Sequence, residues 1–144
     1  MCGLGRYTDA YGNSYYGQWK DDDKNGKGTF TWTDGARYYG QWANDMRNGK
    51  GEMRWSSGEV YKGEWKDDKM HGKGEHFWTN GDYYKGEWVE DVRTGKGKFN
   101  WGTGEKYKGY FKNNLCDGYG VMVYADGTKT KGIWRENSFL RSGK

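Results

Sequence analysis

One ruler runs the length of this chain: glycine recurs every 23 residues in four parallel columns. The columns start at Gly3, Gly5, Gly12 and Gly17 and run without insertion or deletion to Gly118, Gly120, Gly127 and Gly132. Only Gly102 and Gly143 fall outside them. A short fixed period means repeated supersecondary units, each burying its apolar side against its neighbours. The aromatic residues keep the same register. Trp19, Trp42, Trp65, Trp88 and Trp134 form one column, with Phe111 filling its gap. Trp32, Trp55, Trp78 and Trp101 form a second, continued by Tyr124. Tyr15, Tyr38, Tyr61, Tyr84 and Tyr107 form a third, which lapses to Thr130.

Each unit reads as two strands. In Tyr61-Lys62-Gly63-Glu64-Trp65 the Tyr, Gly and Trp are two residues apart, so all three share one face of an extended chain. Gly26-Lys27-Gly28-Thr29-Phe30-Thr31-Trp32 alternates in the same way. The intervening Lys, Glu, Gln and Thr belong in water. Asp34-Gly35, Asn80-Gly81 and Asp126-Gly127 are hairpin signals. The other connection carries Asp22, Asp45, Asp68, Asp91, Asn114 and Asn137, the non-glycine residue types that best tolerate positive φ. The expected fold is all-β: an elongated single-layer antiparallel meander of hairpin repeats over residues 1–137, with a C-terminal cap or tail at 138–144.

Such a sheet has to bury aromatic rings, because little else is on hand. Ile133 is the only isoleucine, and Leu4, Leu115 and Leu140 are the only leucines. Aromatic residues make up 19% of the chain, enough to argue against disorder despite 31% charge. Glycine weakens a strand unless something approaches it closely. Rings lying flat over the glycine backbone are the expected intruders.

The Tyr-x-Gly-x-Trp, Gly-x-Gly and Asp-Gly marks at this period resemble the MORN repeat (membrane occupation and recognition nexus), from Gly3 to about Asn137. Tyr61 to Gly74 follows the pattern most closely, including His71-Gly72. The departure is systematic: where the family often has Gly after the Trp, this chain has Asp or Asn. The resemblance implies a twisted β-meander and scaffold or adaptor roles in cilia, the cell-division cytoskeleton and membrane-associated complexes.

Nothing in the sequence points to catalysis, a cofactor or a metal. His71 and His76 are the only histidines, the first at a turn and the second alternating with Trp78 on the aromatic face. Asp21-Asp22-Asp23 lacks the final Glu of a calcium loop. It reads, with Asp67, Asp68, Glu90 and Asp91 and the nearby Lys24, Lys69 and Arg93, as solvated turn charge. A net charge of +4 is too balanced for nucleic acid. No run of about 18 apolar residues is present. The absence of a leader pattern and the sparse cysteines point to an intracellular setting, and the resemblance to cytoplasm, cytoskeleton or cilium. Cys2 and Cys116 lie almost five units apart, too far for a disulfide, and are expected as free thiols.

Two binding surfaces compete. The leading one is the aromatic face, Tyr38, Trp42, Tyr61, Trp65, Tyr84, Trp88, Tyr107 and Phe111, as a protein-partner site. The alternative is an anionic phospholipid surface met by the column Lys62, Lys85, Lys108 and Lys131, with Lys27, Lys50, Lys73 and Lys96 beside it. Against that stand Glu52, Glu64, Glu75 and Glu87, which can pair with these lysines across strands. The opening strand around Leu4 to Tyr7 is expected to be an unpaired edge open to self-association, and Ser138 to Arg141 to fold back over the last hairpin.

Overall fold

The computed structural model describes residues 3–142, all of them strand, turn or connecting segment. Strands of the tyrosine type are β2 (Ser14–Lys20), β4 (Arg37–Ala43), β6 (Val60–Lys66), β8 (Tyr83–Val89), β10 (Lys106–Lys112) and β12 (Lys129–Arg135). Strands of the Gly-x-Gly type are β1 (Gly3–Thr8), β3 (Asp23–Thr31), β5 (Met46–Arg54), β7 (Lys69–Phe77), β9 (Val92–Asn100) and β11 (Leu115–Val123); β13 (Ser138–Arg141) is a short last strand. Strand order is chain order, in one open antiparallel sheet. The chain divides into two units between Met70 and His71.

Both units repeat one hairpin design. The shorter connection is a two-residue loop with both residues at positive φ, such as Asp21 and Asp22 or Asn113 and Asn114. This is the mirror-image turn whose twist matches that of paired strands. The longer connection closes with the Gly35 N–H donating to the Trp32 carbonyl at 3.0 Å, and it needs Gly35 at φ 97°. Register is glycine against glycine: Gly17 faces both Gly5 and Gly28, and Gly109 faces both Gly97 and Gly120. A bulge at Gln18 interrupts the β2–β3 ladder, and its side-chain oxygen takes over by accepting the Lys27 N–H at 2.7 Å.

The ends differ from expectation at one point. β13 pairs alongside β12 and stays exposed, extending the sheet edge instead of covering the hairpin. The reason is local. Asn137 makes the same left-handed turn as its counterparts in earlier units, so the chain continues in register and Phe139 packs on Trp134 at 5.3 Å. Among the described residues β1 pairs only with β2, and Leu4 and Tyr7 are exposed.

Candidate functional site

The face expected to meet a partner is built in two tiers. The lower tier is tyrosine. Tyr15, Tyr38, Tyr61, Tyr84 and Tyr107 have no exposed surface. The rings of Tyr15, Tyr38, Tyr84 and Tyr107 lie over glycines: a Cβ added to Gly28 would fall on the Tyr15 ring, and one added to Gly120 on the Tyr107 ring. Each hydroxyl donates to the carbonyl three residues on, at 2.9 Å from Tyr15 to Gln18 and 3.0 Å from Tyr107 to Tyr110. A glycine inside a strand costs about 0.5–1 kcal/mol. Covering an aromatic ring gains about 4–6 kcal/mol gross, at ~25 cal/mol per Å² over ~150–250 Å². Ring burial therefore outweighs the glycine cost.

Tryptophans bind consecutive hairpins together. Tyr15 meets Trp19 of its own strand at 5.0 Å and Trp42 of the next hairpin at 5.4 Å, both edge-to-face. Tyr107 does the same with Phe111 at 5.2 Å and Trp134 at 5.8 Å. Trp42 donates its indole N–H to the Gly28 carbonyl at 3.2 Å, and Trp134 to that of Gly120 at 3.1 Å. Phe111 keeps the packing and has no such donor.

All eight residues expected at the partner surface, Tyr38, Trp42, Tyr61, Trp65, Tyr84, Trp88, Tyr107 and Phe111, are thus buried. They hold the sheet together and offer no ring face to a visitor. What remains accessible is the upper tier. Trp32 and Trp55 in the first unit, and Trp78 and Trp101 in the second, are half-buried, one per hairpin. Trp32 packs on Phe30 and Trp101 on Phe99, each at 4.6 Å. His76 is buried and stacks on Trp78 at 4.2 Å.

A further column was missed in the sequence. Lys24, Arg47, Arg93 and Cys116 stand 23 residues apart or a multiple of it, just after the tight turns. Lys24 and Arg93 read as solvated turn charge, but they reach inward over the rings instead. The Lys24 ammonium lies 5.4 Å from the Trp42 ring, and the guanidinium of Arg47 lies 4.5 Å from that of Trp65. Arg93 lies 5.2 Å from Phe99 and 5.4 Å from Trp78. The signal available in the sequence was the same period, hidden by the change of residue type.

The turn of the following hairpin fixes each member of this column. Asp68 Oδ1 accepts from the Arg47 N–H at 2.7 Å and from its Nε at 3.1 Å, while Arg47 Nη2 donates to the Asp68 carbonyl at 3.0 Å. Asn114 holds Arg93 the same way, at 2.8, 3.2 and 3.1 Å. Asn137 Oδ1 takes the Cys116 N–H at 2.7 Å. Burial alone would raise the Asp45 carboxyl, but hydrogen bonds from the Lys24 N–H and Asp23 outweigh it and leave Asp45 lowered. Asp23, sharing that hydrogen bond, is raised. Burial pushes the Cys116 thiol up to about 12, so it stays protonated and unreactive near neutrality. Cys2 lies outside the described residues.

The opposite face carries the lysines. Lys62, Lys85, Lys108 and Lys131 are all exposed. Lys62 lies 3.7 Å from Glu52 and Lys85 lies 3.8 Å from Glu75, so two of the four have carboxylate partners. Among the described residues no group of three or more His, Cys, Asp or Glu side chains is placed to hold a metal ion.

Fold and face together define a class: an open-sheet hairpin repeat whose core is a layer of rings on glycine. Five consecutive segments, 15–37, 38–60, 61–83, 84–106 and 107–129, match the MORN repeat, and the chain belongs to that family. No curated protein shows significant sequence similarity to it. Among solved structures, it is similar to the SAS-4 (dCPAP) TCP domain of Drosophila melanogaster, described in complex with a proline-rich motif of Ana2 (dSTIL). That likeness has a TM-score of 0.50 and 12% identity over 90% of this chain and 77% of the other, a similarity of fold.

Proposed function

We propose that this chain is a non-catalytic scaffold that holds partner proteins along the upper tier of its aromatic face. The observation that carries the reading is the column Trp32, Trp55, Trp78 and Trp101, half-exposed at one per hairpin beside the inward-reaching Lys24, Arg47 and Arg93. Tryptophan and arginine dominate interface energetics, and here they stand on a buried layer that fixes their position. The eight buried residues of that layer support the contact from beneath. A similar fold holding a proline-rich motif of another protein supports the same kind of role. We assign the scaffold to an intracellular cytoskeletal or ciliary assembly, as the family's roles suggest. Pairing of the β1 edge with a second copy would add to this role, and would appear as a sedimentation coefficient that rises with concentration.

A photo-crosslinking residue at Trp32 or Trp101, set against one at Lys27 on the opposite face, tests the proposal. Discrete protein adducts from native extract at the two tryptophan positions, absent at Lys27, are the expected result. Adducts at Lys27 alone would overturn it.

A further inference from the structure

Register on the polar face sets lysine against glutamate across two of its strand pairs and then abandons that rule. Lys50 faces Glu64 and Glu52 faces Lys62 across β5 and β6. Lys73 faces Glu87 and Glu75 faces Lys85 across β7 and β8. Opposite charges directly across a ladder stabilise it, and like charges destabilise it. At β9 the rule stops. Lys98 stands 23 residues after Glu75, and its partners are Lys85 on one side and Lys108 on the other. Three lysines therefore stand in a row across three strands.

Beyond that row Lys106, Lys108, Lys129 and Lys131 have no carboxylate opposite them in the register. Lys108 faces Val121, which faces Lys131. Lys106 lies between Asn100 and Val123, and Val123 faces Lys129. Tyr119, Val121 and Val123 point outward from β11 as an apolar track, with Ile133 beside Tyr119. The lysines on β10 and β12 line both sides of the track. Neighbouring strands are about 4.8 Å apart and same-face residues about 6.6–6.8 Å apart along a strand. The track is therefore one strand wide, with lysine-bearing strands about 4.8 Å away on either flank.

We infer that the outward face of β9 to β12 binds an acidic, extended segment of another protein. Apolar side chains of that segment rest on Val121, Val123 and Tyr119, and its carboxylates reach Lys106, Lys108, Lys129 and Lys131. Two features favour this occupant. A carboxylate at Lys108 relieves its repulsion with Lys98, as Glu75 at 3.8 Å already does for Lys85 on the other side of the row. The narrow valine track lies between taller lysines, which suits a single extended chain more than a broad bilayer surface. This inference concerns the face opposite the one proposed for scaffolding, so each can fail alone. Together they make the sheet a two-sided connector.

The probe is a fluorescent peptide alternating glutamate and valine, set against polyglutamate and against vesicles of phosphatidylcholine with phosphatidylserine. The alternating peptide should bind the full chain, more weakly as salt rises. Lys108→Glu with Lys131→Glu should weaken binding by about tenfold or more. Lys62→Glu, in the other unit, should leave it unchanged. Val121→Ser should weaken the alternating peptide and leave polyglutamate as it was, and circular dichroism should stay near wild type for all of these surface changes. Failure of the peptide to bind overturns the inference. So does equal affinity for polyglutamate, loss on Lys62→Glu matching that of the double variant, or tight vesicle binding without peptide binding.

Discussion

A tyrosine ring and the glycines beneath it form the smallest unit of this fold that means anything energetically. Tyr61 contributes its whole ring to the covered layer and one hydrogen bond, 2.9 Å from its hydroxyl to the Glu64 carbonyl. The two contributions separate by substitution. Tyr61→Phe should cost about 0.5–1.5 kcal/mol, the net worth of one hydrogen bond. Tyr61→Ala should cost about 3–5 kcal/mol, as for other large buried aromatics. Urea unfolding of both variants checks the order, and near-equal losses would mean that the ring is not the core. Alkaline pH probes the same layer. Burial raises Tyr15 from 10.0 to about 12, and it raises Tyr38, Tyr84 and Tyr107 as well. Between pH 10 and about 12 the unfolded chain has lost protons that the folded one keeps, so stability present below 10 falls as pH rises. Tyrosinate absorbance from these rings should then appear together with unfolding. Their titration near 10 in an intact fold would count against the burial described here.

At the scale of the hairpin, the turns do two jobs, and only one of them was legible in the sequence. Asp and Asn after the tryptophan were readable as residues that accept positive φ, and Asp68 and Asn114 do so, at φ 68° and 70°. By that criterion glycine would serve equally well. What the sequence did not disclose is the side-chain oxygen, which reaches back 21 residues to hold Arg47 or Arg93. That contact depends on how one hairpin lies against the previous one, a tertiary relation that no local pattern encodes. Asp68→Gly should therefore relieve turn strain yet destabilise the unit by about 1–3 kcal/mol through the unsatisfied Arg47 groups. Asp68→Asn, copying Asn114, should stay within about 1 kcal/mol of wild type. Hydrogen exchange at the Arg47 amide is the readout. It should accelerate in the glycine variant and hold in the asparagine variant.

Over the whole chain, the 23-residue ruler made strands β1 to β12, the two turn types and the ring-bearing face readable, while β13 lay outside the pattern and was expected as a covering tail. Period and alternation depend only on neighbours in sequence. Exposure does not. The same columns read equally well as a contact surface or as a core, and the glycines opposite Tyr38, Tyr84 and Tyr107 decide for a core because they let the rings lie flush. The loss of charge pairing at Lys98 was equally present in the sequence, but it acquires meaning only once register places Lys98 between Lys85 and Lys108. The account that results assigns two tiers of one face to two jobs: buried tyrosines for stability, half-exposed tryptophans for partners. One paired measurement tests this directly, comparing Trp32→Ala with Trp101→Ala against Tyr61→Ala for both unfolding midpoint and capture of the crosslinked partner. The account predicts that the tryptophan variant loses capture by about tenfold or more while its midpoint moves less than that of the tyrosine variant. Undiminished capture by the tryptophan variant, with its midpoint lowered as far as that of Tyr61→Ala, would contradict it.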